Sequence, residues 1–306
     1  MEELRDTFKI FLTCDSVRKD DFLQELIKAD RKTLLSIIYL PEDSEERLRV
    51  YDLLVKIKPD GADLLSHVFE ECQNDSDPLL QLAAIQFVED NNLDKVETFI
   101  DLFNKSADNP LTLPSIAQTV SSMILRSEDP LKYSETIETI IEKASTTIPD
   151  LLGSLPKLTS YDPFAQMMLN SDTFKLWIID FPYNVELRTF NLHMRNLLTP
   201  HCKDPSSLFL SETNILNSMI HPSPALRCAV FEHISVMAPF FKQQMLSFNR
   251  FQERLFDPSM DSTKEEMFSR RKAIHSLGLD QKTDGSDAGP IQRQQVEDLG
   301  PDLMII

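Results

Sequence analysis

The sequence predicts an all-α protein, and three observations carry the prediction. Apolar residues recur at the spacing of one helix face almost everywhere before residue 277. Helix-start signals precede many of these runs, while the turn signals of β-hairpins are nearly absent. Glycine is scarce: the chain has 6, against roughly 20 expected at about 7% usage. Only Gly61 and Gly153 fall in the first 277 residues, whereas Gly278, Gly285, Gly289 and Gly300 crowd into the remainder. Tight hairpins, phosphate-cradling loops and close backbone approach to a cofactor all draw on glycine's freedom at positive φ. A body without it favours helices joined by Pro, Asp, Asn and Ser turns.

The first segment, Met1 to Ser16, places two acids directly after Met1 and lacks the basic and apolar regions of a secretory signal. A cytoplasmic or nuclear location is expected. Asp30 and Ser44 are candidate caps for the helices that follow, and Lys58-Pro59-Asp60-Gly61 breaks the pattern. At Asp77 the start is complete. An acidic N-cap is followed by Pro78 at the first helical position, then by Leu79, Leu80, Leu82, Ala83, Ala84, Ile85, Phe87 and Val88 over a broad face. Asp129-Pro130 repeats the device ahead of Tyr133, Ile137, Ile140 and Ile141, and Ser171 and Ser211 are further caps.

Leu176 to Ile179 and Ser206 to Leu210 are apolar enough for strands, but helical neighbours and the lack of hairpin turns favour helix. Trp177 sits among Phe174, Leu176, Ile178 and Phe181 and reads as a core anchor, with an exposed hot spot as the alternative. Phe240, Phe241, Phe248, Phe251 and Phe256 pose the same choice, and core packing is favoured. His221-Pro222-Ser223-Pro224 is another short break. In all, roughly fourteen to seventeen helical segments of about 9–18 residues are expected.

Three segments align as a weak internal repeat: those starting at Ser44, Asp77 and Ser223. Each opens with a cap or Pro, then Leu followed by Arg or Gln: Leu48-Arg49, Leu80-Gln81 and Leu226-Arg227, with a looser fourth at Leu187-Arg188. Leu48 to Leu80 and Leu187 to Leu226 are 32 and 39 residues apart, near the period of helix-pair repeats of the HEAT and armadillo kind. The expected architecture is therefore a HEAT/armadillo-like α-solenoid over residues 1–277. Residues 278–306, rich in Gly, Asp and Gln, are expected to form a disordered acidic tail, ending in an apolar Leu303 to Ile306 that could serve as a short docking peptide.

Charge and motifs narrow the chemistry. The 49 acids outnumber the 31 bases for a net charge of −18, and the longest basic run is Arg270-Arg271-Lys272. Binding to nucleic acid or to an anionic membrane surface is disfavoured, because both rest on dense basic patches. The longest apolar run, Leu34 to Leu40, is broken by Ser36 and falls short of the roughly 18 residues of a membrane span. Cys14, Cys72, Cys202 and Cys228 are far apart and read as buried free thiols.

The six histidines form no HExxH or HD signature, and His193, His201 and Cys202 lack a second close ligand pair. Glu45-Glu46, Glu70-Glu71 and Glu265-Glu266 read as solvated helix faces rather than acid-base pairs. No cofactor, metal or catalytic residue is expected, although a nucleophile and base brought together by the fold would leave no local motif.

The C-terminal third supplies a resemblance. It rests on HPSPALRCAVFEHISVMA, from His221 to Ala238, and on the stretch from Met245 to Gly278. The residues that carry it are Pro224, Leu226-Arg227, Cys228-Ala229, Phe251, Leu255-Phe256-Asp257, Lys264 and Arg270 to Lys272. These resemble the end of the proteasome base-assembly chaperone family, the type called non-ATPase regulatory subunit 5, and Asp75 to Asp90 looks like an internal repeat of the same proteins.

The resemblance implies an all-helical solenoid whose concave face binds the C-terminal domain of one ATPase subunit of the proteasome regulatory particle. Such a chaperone escorts that subunit into the base ring and leaves before the mature complex works. A general HEAT or armadillo scaffold or adaptor is the alternative. Reversible escort calls for a few aromatic and Arg anchors. Arg227, Arg254 and Arg271 are the candidate exposed contacts and Phe251 the candidate anchor, on a protein expected to be monomeric. The competing role of each Arg is a solvated or intra-repeat salt-bridging residue.

Overall fold

Proline and small polar caps, rather than glycine, set where the helices begin. The computed structural model describes residues 2–13, 21, 22, 24, 26, 28, 47–51, 54 and 62–279 apart from 75, 107, 108, 147 and 148. Among the described residues every regular element is helical. The N-terminal helices are α1 (Glu2–Thr13), α2 (Ala62–Cys72), α3 (Pro78–Asp90), α4 (Val96–Lys105) and α5 (Leu113–Arg126). Next come α6 (Ser134–Thr146), the short α7 (Leu155–Leu158), α8 (Asp162–Asn170) and α9 (Asp172–Ile179). The C-terminal helices are α10 (Val185–Leu198), α11 (Glu212–Met219), α12 (Pro224–Ser247), α13 (Phe251–Phe256) and α14 (Lys264–Ser276).

Asp77 accepts from the backbone N–H groups of Leu79 and Leu80, with Pro78 following as expected. Ser171, Asn184, Ser211 and Ser223 cap α9, α10, α11 and α12 in the same way. Each such cap satisfies an otherwise orphaned donor and contributes about 1 kcal/mol. Asp129-Pro130 behaves differently: it opens a 3-10 turn, Pro130–Tyr133, with no side-chain cap, and α6 starts from Ser134. Leu176 to Ile179 lie in α9, while Ser206 to Leu208 lie in a 3-10 turn that Phe209 leaves in extended conformation. Asp30, Ser44, Cys14 and residues 280–306, including the expected tail, lie outside the described residues.

Helix lengths run from 4 residues in α7 to 24 in α12, a wider spread than the sequence pattern suggests. Pro239 lies inside α12 without ending it, but Phe241 departs to φ −124°, ψ 17°. A proline has no N–H for the carbonyl four residues back, and its ring crowds that turn, so the helix kinks. Phe240, beside the kink, is 53% exposed.

Helix C-termini explain how a glycine-poor chain satisfies its carbonyls. At α14 the Gly278 N–H reaches His275 O and the Leu279 N–H reaches Ile274 O, with Gly278 at φ +62°. This is a left-handed cap with its expected glycine. Helix α3 ends with the same two bonds, Asn92 to Glu89 and Leu93 to Val88, but Asn92 takes the positive φ. Elsewhere, long side chains from other elements supply the donors. Gln81 Nε2 reaches Cys72 O at 2.8 Å, Arg254 Nη1 reaches Leu216 O at 2.7 Å, and Arg195 binds Ile178 O and Leu208 O. A cation also suits the negative end of a helix dipole.

The Leu-Arg/Gln repeat has this same role. In all four segments the residue after Leu donates to a carbonyl at or just past the end of an earlier helix. Arg49 binds Leu12 O, Gln81 binds Cys72 O, Arg188 binds Pro182 O and Arg227 binds His221 O.

Packing joins elements close in sequence. Helix α2 packs on α3, α4 on α5, and α3 on α5; α6 meets both α8 and α9; α10 packs on α12 and α12 on α14, with α11 and α13 against α12. Among the described residues, the buried apolar side chains other than Leu80 form one cluster that extends from Phe8 to Leu277.

Candidate protein-binding surface

Buried polar groups fix the α10–α12–α14 layer before any surface is considered. Arg227, 3% exposed, donates to Glu266, which is fully buried, to His221 O and to Ser262. The other Glu266 oxygen accepts from the Ser262 and Thr263 N–H groups, and Thr263 returns a bond to the Glu266 N–H. That exchange is a capping box. One carboxylate therefore starts α14 and ties it to the first turn of α12. Arg270 makes a second tie, to Asp261 and Leu255 O.

Arg195 is 2% exposed, and its described partners are Asn191 at 2.7 Å and the two carbonyls named above. Burial lowers its guanidinium to about 10. Near it, His233 is fully buried, bonded to Asn196 at 2.9 Å and stacked on Phe209. Burial, and after it the Arg195 charge, push the imidazole down to about 3, so it is neutral.

On the outside of this layer a groove runs between α10 and α12. Its floor includes Val185, Phe190, Ala229 and the half-buried Cys228, and Glu186 and Glu232 stand exposed at its rim. Small residues create it, because Ala225 and Ala229 leave space that longer side chains would fill. The Cys228 thiol is pushed up by burial, drawn down by Ser269, and pushed up further by Glu266, Glu232 and Glu265. A raised thiol stays protonated and is a poor nucleophile. Cys72 and Cys202 are raised as well, mainly by burial.

An apolar patch lies near Phe190, which contacts Trp177 edge-on at 6.1 Å. Leu176, Ile179 and Tyr183 are exposed, Tyr183 at 95%, and the Arg188 guanidinium lies 5.3 Å from the Phe181 ring centre and 5.9 Å from that of Tyr183.

The structure corrects several sequence expectations. Arg227 is an interior residue, since its guanidinium is consumed by Glu266 and His221 O. Phe251 is fully buried and packs edge-on against Phe248. Arg254 is half-buried with its guanidinium on Leu216 O. Arg271 alone of the four candidates is exposed, with no ion pair to a described residue. Glu266 is no solvated acid, and Glu71 is largely buried against Arg47. Trp177 is a half-buried anchor as expected, whereas Phe240 is exposed.

His201 pairs with Asp162 at 2.7 Å while His193 faces the groove. Among the described residues no group of three His, Cys, Asp or Glu side chains is placed to hold a metal ion, and no helix is long and apolar enough to cross a membrane.

Sequence reasoning missed Met267 and Phe268, which flank the exposed side of α14 at 37% and 70% exposure. The signal was present: Glu266, Ser269, Arg270 and Ala273 form the buried stripe, so a 3.6-residue period puts Phe268 opposite it. No protein-family model matches this chain, and no curated protein matches it.

Proposed function

We propose that this protein is a non-catalytic, helical-repeat binding protein that holds another protein on its α10–α12 surface. The observation that carries this reading is the groove itself: an apolar floor under the acidic Glu186 and Glu232, on a chain of net charge −18. Such a surface suits a helix or peptide with an apolar face and basic flanks. Apolar area supplies affinity, while complementary charge supplies rate and register.

The packing of α10 on α12 and α12 on α14, with α11 and α13 alongside, supports a HEAT/armadillo-like α-solenoid. So does the common role of the Leu-Arg/Gln pairs. The narrower reading is an assembly chaperone for the proteasome regulatory-particle base that binds the C-terminal domain of one ATPase subunit. Its support is the resemblance carried by His221 to Gly278. A general scaffold or adaptor is the second reading, favoured by the structural duty of Arg227 and Phe251, two of the residues on which that resemblance rests.

Affinity capture from cells, read by mass spectrometry at low and high salt, tests both. Base ATPase subunits recovered without mature core-particle subunits support the chaperone. Other proteins, recovered at low salt and lost on Glu232→Lys, support the scaffold alone. Capture that is indifferent to salt and to Glu232→Lys rules out the groove.

A further inference from the structure

The outer face of α14 exposes apolar side chains among cations. Its stripe opposite the buried residues contains Lys264, Phe268 and Arg271, with Met267 and Lys272 on either side. Phe268 is 70% exposed and Met267 37%, on the last helix of the described chain, which packs chiefly on α12. On this face the aromatic residue stands between cations. Lys242 adds a cation where the chain leaves the helix, its Nζ 3.2 Å from the position a Cβ would take on Gly278. These cations stand out on a protein with 18 excess negative charges.

We infer that residues 296–306 of this same chain dock on the α14 face through Phe268, Met267, Arg271 and Lys272. That segment alternates the complementary chemistry: Val296, Leu299 and Leu303 to Ile306 are apolar, while Glu297, Asp298 and Asp302 are acidic. Gly278 ends α14 in a left-handed cap, with Leu279 bonded to Ile274 O and packed on the core. The roughly 24 residues from there to Leu303 can span up to about 80 Å, whereas α14 is only about 20 Å long. A tethered ligand within reach acts at roughly millimolar effective concentration, so a few anchors suffice. The surface is separate from the α10–α12 groove, and the inference does not rest on the function proposed for that groove.

Zero-length carbodiimide coupling of the full chain at low micromolar concentration tests this. Isotope-labelled and unlabelled chains are mixed, and the monomer and dimer fractions are mapped by peptide mass spectrometry. The expected result is amide links from Lys264 or Lys272 to Glu297, Asp298 or Asp302 within one chain. Their yield falls about fivefold or more on Phe268→Ser, which leaves both lysines in place. Leu303→Ser, which lies beyond the described helices and adds no carboxylate, is expected to give the same loss. Absence of these links overturns the inference. So does a yield that neither substitution changes, which marks random collision of a tethered segment, and so do links that join labelled to unlabelled chains, which mark a second copy as the occupant.

Discussion

Two ion pairs, one in the middle of the chain and one near its end, do similar work at very different depth. In the middle, Glu89 on α3 bonds Lys157 of α7 at 2.5 Å and accepts from Thr119 and Ser122 of α5, with the Lys157 side chain 44% exposed. Near the end, Arg227 and Glu266 join α12 to α14 at side-chain exposures of 4% and 0%. Water reaches the Lys157 end, and Glu89, with its side chain 17% exposed, keeps Thr119 and Ser122 as donors, so each partner could lose the other at modest cost. The second pair has no such retreat. Its value lies less in attraction than in the cost of leaving either member alone.

Removing Glu266 is therefore expected to have the largest effect. Glu266→Ala strands the Arg227 charge and the Ser262 and Thr263 N–H groups, for a loss of about 3–5 kcal/mol in denaturant unfolding. The double change Arg227→Met with Glu266→Leu is expected to recover most of that loss; failure to recover would mean that the capping box, not the ion pair, dominates.

Arg195→Met comes next. It leaves Leu208 O and Asn191 Oδ1 without their donor, while Ile178 O keeps the Asn191 amide, at about 2–3 kcal/mol by the same measurement. An effect near zero would show that water replaces the guanidinium.

Acidification probes the same region through His233. The folded imidazole is depressed to about 3 against 6.5 in the unfolded chain, so its stabilisation is complete above pH 6.5 and is lost as pH falls below that. The slope is about 1.4 kcal/mol per pH unit, roughly 2 kcal/mol by pH 5. His233→Phe, still able to stack on Phe209, is expected to flatten the profile between pH 6.5 and 5.

The smallest effect is expected at the half-buried pair. Desolvation pushes the Glu89 carboxyl up, but Lys157, Thr119 and Ser122 outweigh it and hold the group below its usual range. Its contribution is thus present above about pH 4.3 and fades as pH falls through the lower folded value. Glu89→Gln is expected to cost about 1 kcal/mol or less at pH 7, and high salt to shrink that further. A cost equal to that of Glu266→Ala would erase the distinction between the two regions.

Much of the helical body was legible in advance. Asp77, Ser171 and Ser211 are caps because a short polar side chain before an apolar run answers a purely local need, and Gly278 ends the last described helix for the same reason. Local rules failed where a residue's partner lies far along the chain. Arg227 meets Glu266 across 39 residues, and Arg254 meets Leu216 O across 38. The sequence offered both as exposed contacts, with a solvated or intra-repeat salt-bridging role as the alternative, and could not choose between them. The scarcity of glycine was the neglected clue, since helix ends without left-handed caps need donors from elsewhere.

The sequence by itself determined the all-helical class, several helix starts and the end of the last described helix at Gly278, because dihedral preferences and capping bonds are settled within a few residues. Tertiary structure alone decided the facing of adjacent arginines. Arg270 turns inward to Asp261 and Leu255 O while Arg271 points to solvent, and Arg227, read as exposed, lies beneath α14. Helical periodicity separates such neighbours by about 100°, but only the packing of α14 on α12 sets which side is buried.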